Sequence, residues 1–189
     1  MNRWVPVLIL IALLAVFRVL GSAFPTTLPN LQPLLALFLC SFIFLDGKQR
    51  WLVPGIVWVL TDPVTSALQG YPVFGWHHAA IALGIAATIS IAMVVRPKPA
   101  ATPVLTGAVA SAVIFYFLTN LVSFLTDPLY TKDAAGFVQA QWTGPVGLGP
   151  TWVFLRNLIV ANTLFTGLFL LARLSLPGTA KAPSQIAAR

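Results

Sequence analysis

Every long apolar run in this chain is free of acidic residues except one. The stretch Trp51 to Gln69, WLVPGIVWVLTDPVTSALQ, carries Asp62 well inside it. Wound at 100° per residue, Trp58, Asp62, Thr65, Ser66 and Gln69 share an arc of about 100°, with apolar residues elsewhere. A charged side chain at the centre of a bilayer costs about 3 kcal/mol or more unless it is paired, protonated or wet. Asp62 therefore marks a functional site by default, and the rest of the chain is read for what it places around it.

The runs themselves read as membrane spans. Of 189 residues, 58% are hydrophobic and 8% are charged, whereas soluble domains carry roughly 25% charged residues. The fold expected is all-α: one transmembrane domain over residues 1–175, then a flexible polar tail over 176–189. Helices are predicted over about 3–20, 31–45, 51–69, 76–95, 103–125 and 151–174, six spans in all. The second is short, about fifteen residues where roughly 20 are needed to cross. Asn30 is its candidate N-cap, with Pro33 in the first turn. A helix that begins below the surface leaves a recess beside its N-terminus. Residues 126–150 form the one long connection, in which Lys132 to Trp142 reads as a short interfacial helix. Gly21-Ser22-Ala23 resembles a signal-peptide cleavage site, but Arg18 interrupts the segment before it, so the first helix is expected to stay attached.

A net charge of +7 would suggest a nucleic-acid partner in a soluble protein. Here the basic residues lie in loops and tails and act on topology instead, so no nucleic acid is expected. Arg3, Lys48, Arg50, Arg96, Lys98, Arg173, Lys181 and Arg189 fall on one side, and only Lys132 lies in the loops of the other. With six spans, both termini and both basic loops are expected in the cytoplasm of a bacterial inner membrane. Cys40 is the single cysteine, which excludes an intrachain disulfide and a cysteine metal cluster.

Once orientation is assigned, the polar residues fall at similar depth. Tyr116, Thr119, Asn120 and Ser123 share an arc of the fifth helix; Arg156, Asn162, Thr163 and Thr166 share one on the sixth. His77 and His78 open the fourth helix, Asn30 and Gln32 the second, and Arg18 lies near the outer end of the first. The cytoplasmic halves are almost without polar side chains. This is the pattern of a pocket open to the outside. Each residue also has a structural reading. Asp62, followed by Pro63, suits an N-cap after a helix break or an ion-pair partner of Arg156 or Arg18. Arg18 suits a side chain snorkelling to the interface. His77 and His78 suit an interfacial belt beside Trp76, and Asn120 and Asn162 suit interhelical hydrogen bonding.

No enzyme is expected. The sequence holds no metal-ligand spacing, no paired carboxylates, no nucleophile–base arrangement and no phosphate-binding loop, and it implies no cofactor.

Several motifs carry a family resemblance. They are Asn30-x-x-Pro33-x-x-Ala36-x-Phe38, Val53-Pro54 with Asp62 beyond it, Phe115-x-Phe117-x-Thr119-Asn120, Tyr130 with Gly136, and Phe154-x-x-Asn157. Together they resemble a bacterial six-helix family of uncharacterised membrane proteins over roughly residues 3 to 173. That family is similar in layout to the substrate-binding S components of energy-coupling-factor transporters. The resemblance implies a site near the outer face, a lid from the loop after the first helix, and a transmembrane coupling subunit with ATPases as partners. The Ala-x-x-x-Ala docking pattern usual on the first helix of S components is missing, since Ala12 and Ala15 are three apart. The function expected is capture of a small, water-soluble, neutral or cationic solute. Asp62, Asn120, Asn30, Arg156, Tyr116, Trp58, Asn162 and His77 would line the site. The rival expectations are a secondary transporter or channel coupled through Asp62, and a membrane scaffold or assembly factor.

Overall fold

The computed structural model describes residues 5–24, 31–70, 72, 74–147 and 149–175. Among these residues the chain is wholly helical, with seven α-helices and one π-helical turn. They are α1 (Val5–Ala23), α2 (Leu34–Phe44), α3 (Gln49–Leu68), α4 (Trp76–Val95), α5 (Ala101–Thr126), α6 (Ala134–Val138) and α7 (Trp152–Ser175), with the π turn Gln139–Thr143 directly after α6. Of these, α3, α4, α5 and α7 are long and apolar enough to cross a membrane. The large apolar side chains on their outward faces, such as Val59, Leu60, Val94 and Leu171, are exposed in the isolated chain. A bilayer covers such surfaces, and the chain is a membrane protein.

The short helix α2 is the centre of the molecule. Its sequence LLALFLCSFIF is apolar on every side, and all ten residues from Leu34 to Ile43 are buried. A helix apolar all round belongs inside. It packs on α3, α4, α5 and α7 and touches α1. Eleven residues span only about 16 Å, roughly half of a hydrocarbon core, so α2 starts well inside the bundle. Pro33 occupies the N-cap position rather than the first turn, and its own side chain makes no cap bond. Asn30, the expected cap, lies outside the described residues.

At its other end α2 is closed by a cation. Arg96, at the end of α4, donates Nη1–H to the carbonyl of Phe42 at 2.9 Å and pairs with Asp46 through Nη2. The last carbonyls of a helix have no intrahelical donor, and a basic side chain there satisfies one of them.

The remaining packing follows residue size. Gly84 lies under Phe115, where a Cβ would overlap the ring, and this sets the close approach of α4 and α5. Pro63 does not break α3, which continues through it to Leu68. That removes the reading of Asp62 as a cap after a helix break. The long connection folds as expected into a short helix, but that helix passes into a π turn in which the Gly144 amide donates to the Gln139 carbonyl, five residues back. Single π turns are frequent at functional sites.

Candidate functional site at the start of the central helix

The bundle has an end at which α1, α3 and α5 finish and α2, α4 and α7 begin, termed the upper end below. Asp62 lies there, six residues before the end of α3 and one turn beyond Trp58. The Trp58 ring meets Phe38 of α2 edge-on, with centroids 6.3 Å apart. Phe38 is the fifth residue of α2, so Asp62 is level with the beginning of that helix.

Three donors converge on the carboxylate. Arg18 on α1 donates from Nη2 to Oδ1 at 2.9 Å, Trp58 donates from Nε1 to the same oxygen at 3.0 Å, and His78 Nε2 lies 2.7 Å from Oδ2. Asp62 is 13% exposed, Arg18 3% and His78 23%. A buried ionic group needs a partner, and Asp62 has one cation outright and a second when His78 is protonated. Ser22, one turn after Arg18, donates to the Arg18 carbonyl, and Gln69 on α3 donates to the Ser22 hydroxyl at 3.4 Å. These bonds lock the upper ends of α1 and α3 together. The His77 ring lies tilted against that of His78, with centroids 4.0 Å apart.

Not every donor is used. Arg18 Nε and Nη1 are buried N–H groups without a hydrogen-bond partner, and His78 Nδ1, whose role depends on the tautomer, is also buried without one. The first intrahelical bond of α2 runs from the Leu37 amide to the Pro33 carbonyl. The amides of Leu34, Leu35 and Ala36 therefore have no intrahelical acceptor, although all three residues are buried.

A second polar patch lies beneath the π turn. Tyr116 on α5 donates its hydroxyl to the Gln141 carbonyl. The Gln141 side-chain amide and the Thr151 hydroxyl are buried there without partners. Tyr116 packs with Leu35, Phe115 and Leu158, so this patch flanks the start of α2 from the α5 and α7 side.

Half of the expected site residues do not meet Asp62. Arg156 is exposed; it donates to Asn157 Oδ1 at 3.2 Å and lies over the Trp152 ring, so of the two expected ion-pair partners of Asp62, Arg156 and Arg18, it is Arg18 that pairs. Asn162 is fully buried on α7 and donates to the Leu158 carbonyl of its own helix. Asn120 is half-buried on α5 and makes no side-chain bond within the described residues. Tyr116 belongs to the second patch. Trp58 and His77 do belong to the Asp62 cluster.

The chain belongs to a family of unknown function, DUF6580. The family's model matches residues 1–182. No curated protein matches the chain, and no solved structure matches it. For this DUF6580 member the site must be read from its own chemistry.

Two residues at the centre of that chemistry had weak sequence signals. Arg18 reads as a snorkelling side chain because it lies near the end of its apolar run. Its value as a partner depends on α1 lying against α3. His78 continues the stripe Ile81, Ile85 and Ala92 that packs on α2, whereas His77 is one helical step to the side. The bulk of that stripe, set against the small Ala80 and Gly84 nearby, is the signal that distinguishes them.

Proposed function

We propose that this protein captures a small, water-soluble solute at the outer side of a bacterial inner membrane, as the substrate-binding part of an importer. In this reading α1 to α5 and α7 form a six-helix bundle laid out like an S component. Both termini and the basic loops face the cytoplasm, and the upper end faces out. The segment α6 with its π turn then covers the outer mouth. The observation that carries the reading is the set of buried, unused donors around Asp62, where α2 begins. Buried polar groups are normally satisfied, and a bound solute would satisfy these.

Below the cluster, α2 fills the bundle axis with buried apolar side chains, Phe38 and Phe42 among them. That favours capture over a continuous wet path through the membrane, and so ranks a channel or proton-coupled carrier lower. One observation favours a scaffold: Asp62 finds its donors within the chain and needs no ligand for its own sake. Mass spectrometry of small molecules retained by the gently purified protein separates the two. Capture predicts a retained solute whose retention changes in Asp62→Asn, because the Arg18–Asp62 pair borders the site. A folded wild-type protein that comes off empty turns the reading to a scaffold. Reporter fusions at Lys48 and Lys132 should report opposite sides of the membrane. Without the Ala-x-x-x-Ala pattern on α1, a coupling subunit would dock through another surface, which co-purification tests.

A further inference from the structure

We infer that the group received at the start of α2 is an anion, of carboxylate or phosphate type, held by Arg18 and by the amides of Leu34, Leu35 and Ala36. This rests on the solute-capture reading and adds the charge of what is captured.

The unused capacity at this level is on the donor side. Both oxygens of Asp62 already accept: Oδ1 from Arg18 and Trp58, while Oδ2 meets His78. Arg18 keeps two buried, unpartnered N–H positions, Nε and Nη1, on a side chain only 3% exposed. The three amides at the start of α2 belong to buried residues and lack intrahelical acceptors, and Pro33 at the N-cap position supplies none.

Packing places these donors at one height. Leu14, one turn before Arg18, shares a packed cluster with Ala36 and Leu37. Gly21, three residues after Arg18, lies against the Leu31 carbonyl so closely that a Cβ would overlap it. Between those two contacts, Arg18 stands level with the residues where α2 begins.

A helix N-terminus is a ready anion site because its amides point outward and its dipole end is positive. A guanidinium adds a planar fork that matches carboxylate and phosphate oxygens. The charges also fit. Arg18 and Asp62 cancel, and an anion meets the partial positive charge of the α2 start. The expectation of a neutral or cationic solute assumed a free carboxylate, and Asp62 is not free. A soluble anion and the headgroup of an anionic lipid offer the same chemistry.

The test uses the full chain in nanodiscs, with thermal unfolding as readout. Inorganic phosphate and acetate are titrated against ethylammonium and acetamide at matched ionic strength in discs of neutral phosphatidylcholine. A separate arm uses discs containing phosphatidylglycerol with no added solute. The variants are Arg18→Lys, which keeps a cation beside Asp62 but loses the fork, and the exposed control Ser90→Ala. Stabilisation by either anion, or by the anionic lipid alone, that weakens about tenfold or more in Arg18→Lys and not in Ser90→Ala supports the assignment. The arm that responds names the source. Stabilisation that is equal in Arg18→Lys overturns it, as does the absence of any stabilisation by an anion. A retained neutral or cationic molecule that depends on Asp62 would leave capture standing and remove the anion. No retained molecule and no stabilisation would remove both.

Discussion

Arg18 Nη2 lies 2.9 Å from Asp62 Oδ1, joining α1 to α3 across 44 residues of sequence inside the bundle. With the Gln69–Ser22 bond above it, the contact closes the upper ends of the two helices. Because Arg18 is almost wholly buried, it holds a charge that the surrounding hydrocarbon cannot solvate, and each partner depends on the other.

The first prediction follows from that dependence. Arg18→Met or Asp62→Leu alone strands a buried charge and should cost about 3–5 kcal/mol. The double variant, with both charges gone, should recover most of the loss. Unfolding in a fixed detergent measures the cycle. Single losses that simply add in the double variant would mean that the pair does not act as a unit.

The lower end of α2 offers a contrast between two bonds made by one side chain. Arg96 donates to the Phe42 carbonyl and to Asp46, but Asp46 is 91% exposed. Hydrogen bonds to charged groups contribute about 1.5–3 kcal/mol, while exposed ion pairs contribute about 0–1. Arg96→Ala should therefore destabilise by about 2 kcal/mol, and Asp46→Asn by less than about 0.5. Equal effects would show that the ion pair and not the carbonyl cap is what matters.

At the α4–α5 contact, Gly84→Ala places a methyl into the Phe115 ring. Overpacking of this kind typically costs about 1–3 kcal/mol. Phe115→Leu in the same chain should return part of it. Thermal unfolding of the two variants compares them, and a neutral Gly84→Ala would show that the helices separate freely there.

The short helix α6 supplies a pH-dependent prediction. Asp133 caps it, accepting from the Gly136 amide at 2.7 Å and from the Thr131 hydroxyl at 2.9 Å. The Gly136 bond, then the Thr131 bond, hold its carboxyl below the usual carboxylate range. A depressed folded value means that the cap stabilises fully above the ordinary pKa and is lost as pH falls through the lower, folded one. Amide exchange at Gly136 and Phe137 should stay protected down to about pH 4 and rise in more acidic solution. In Asp133→Asn the acid-dependent step should disappear.

One feature of α2 was legible because it is local: its run of apolar residues is too short to cross. The same holds for Asp62, whose depth within α3 is a matter of counting. Sequence also reads a short helix within Lys132 to Trp142 of the long connection, where α6 lies. The π turn that follows has no such signature, since its i to i+5 bond is set by Gly144 and the fit of Gln141 under Tyr116.

By itself, then, the sequence determined that this is a helical membrane protein with one acid deep in a span and one helix too short to cross. Those are properties of composition, length and period, which each segment carries alone. Only the tertiary structure decided who answers Asp62. Arg18 and Arg156 both lie within apolar runs toward the upper end, 44 and 94 residues away in opposite directions, and period cannot choose between them. The choice was made by which helices touch: α1 packs on α3, while α7 packs on α2 and α5. Arg156 therefore turns to Trp152 and Asn157, and Arg18 is buried against the carboxylate. Helix rotation and neighbour order depend on side chains from several segments fitting at once, and no single segment holds that information.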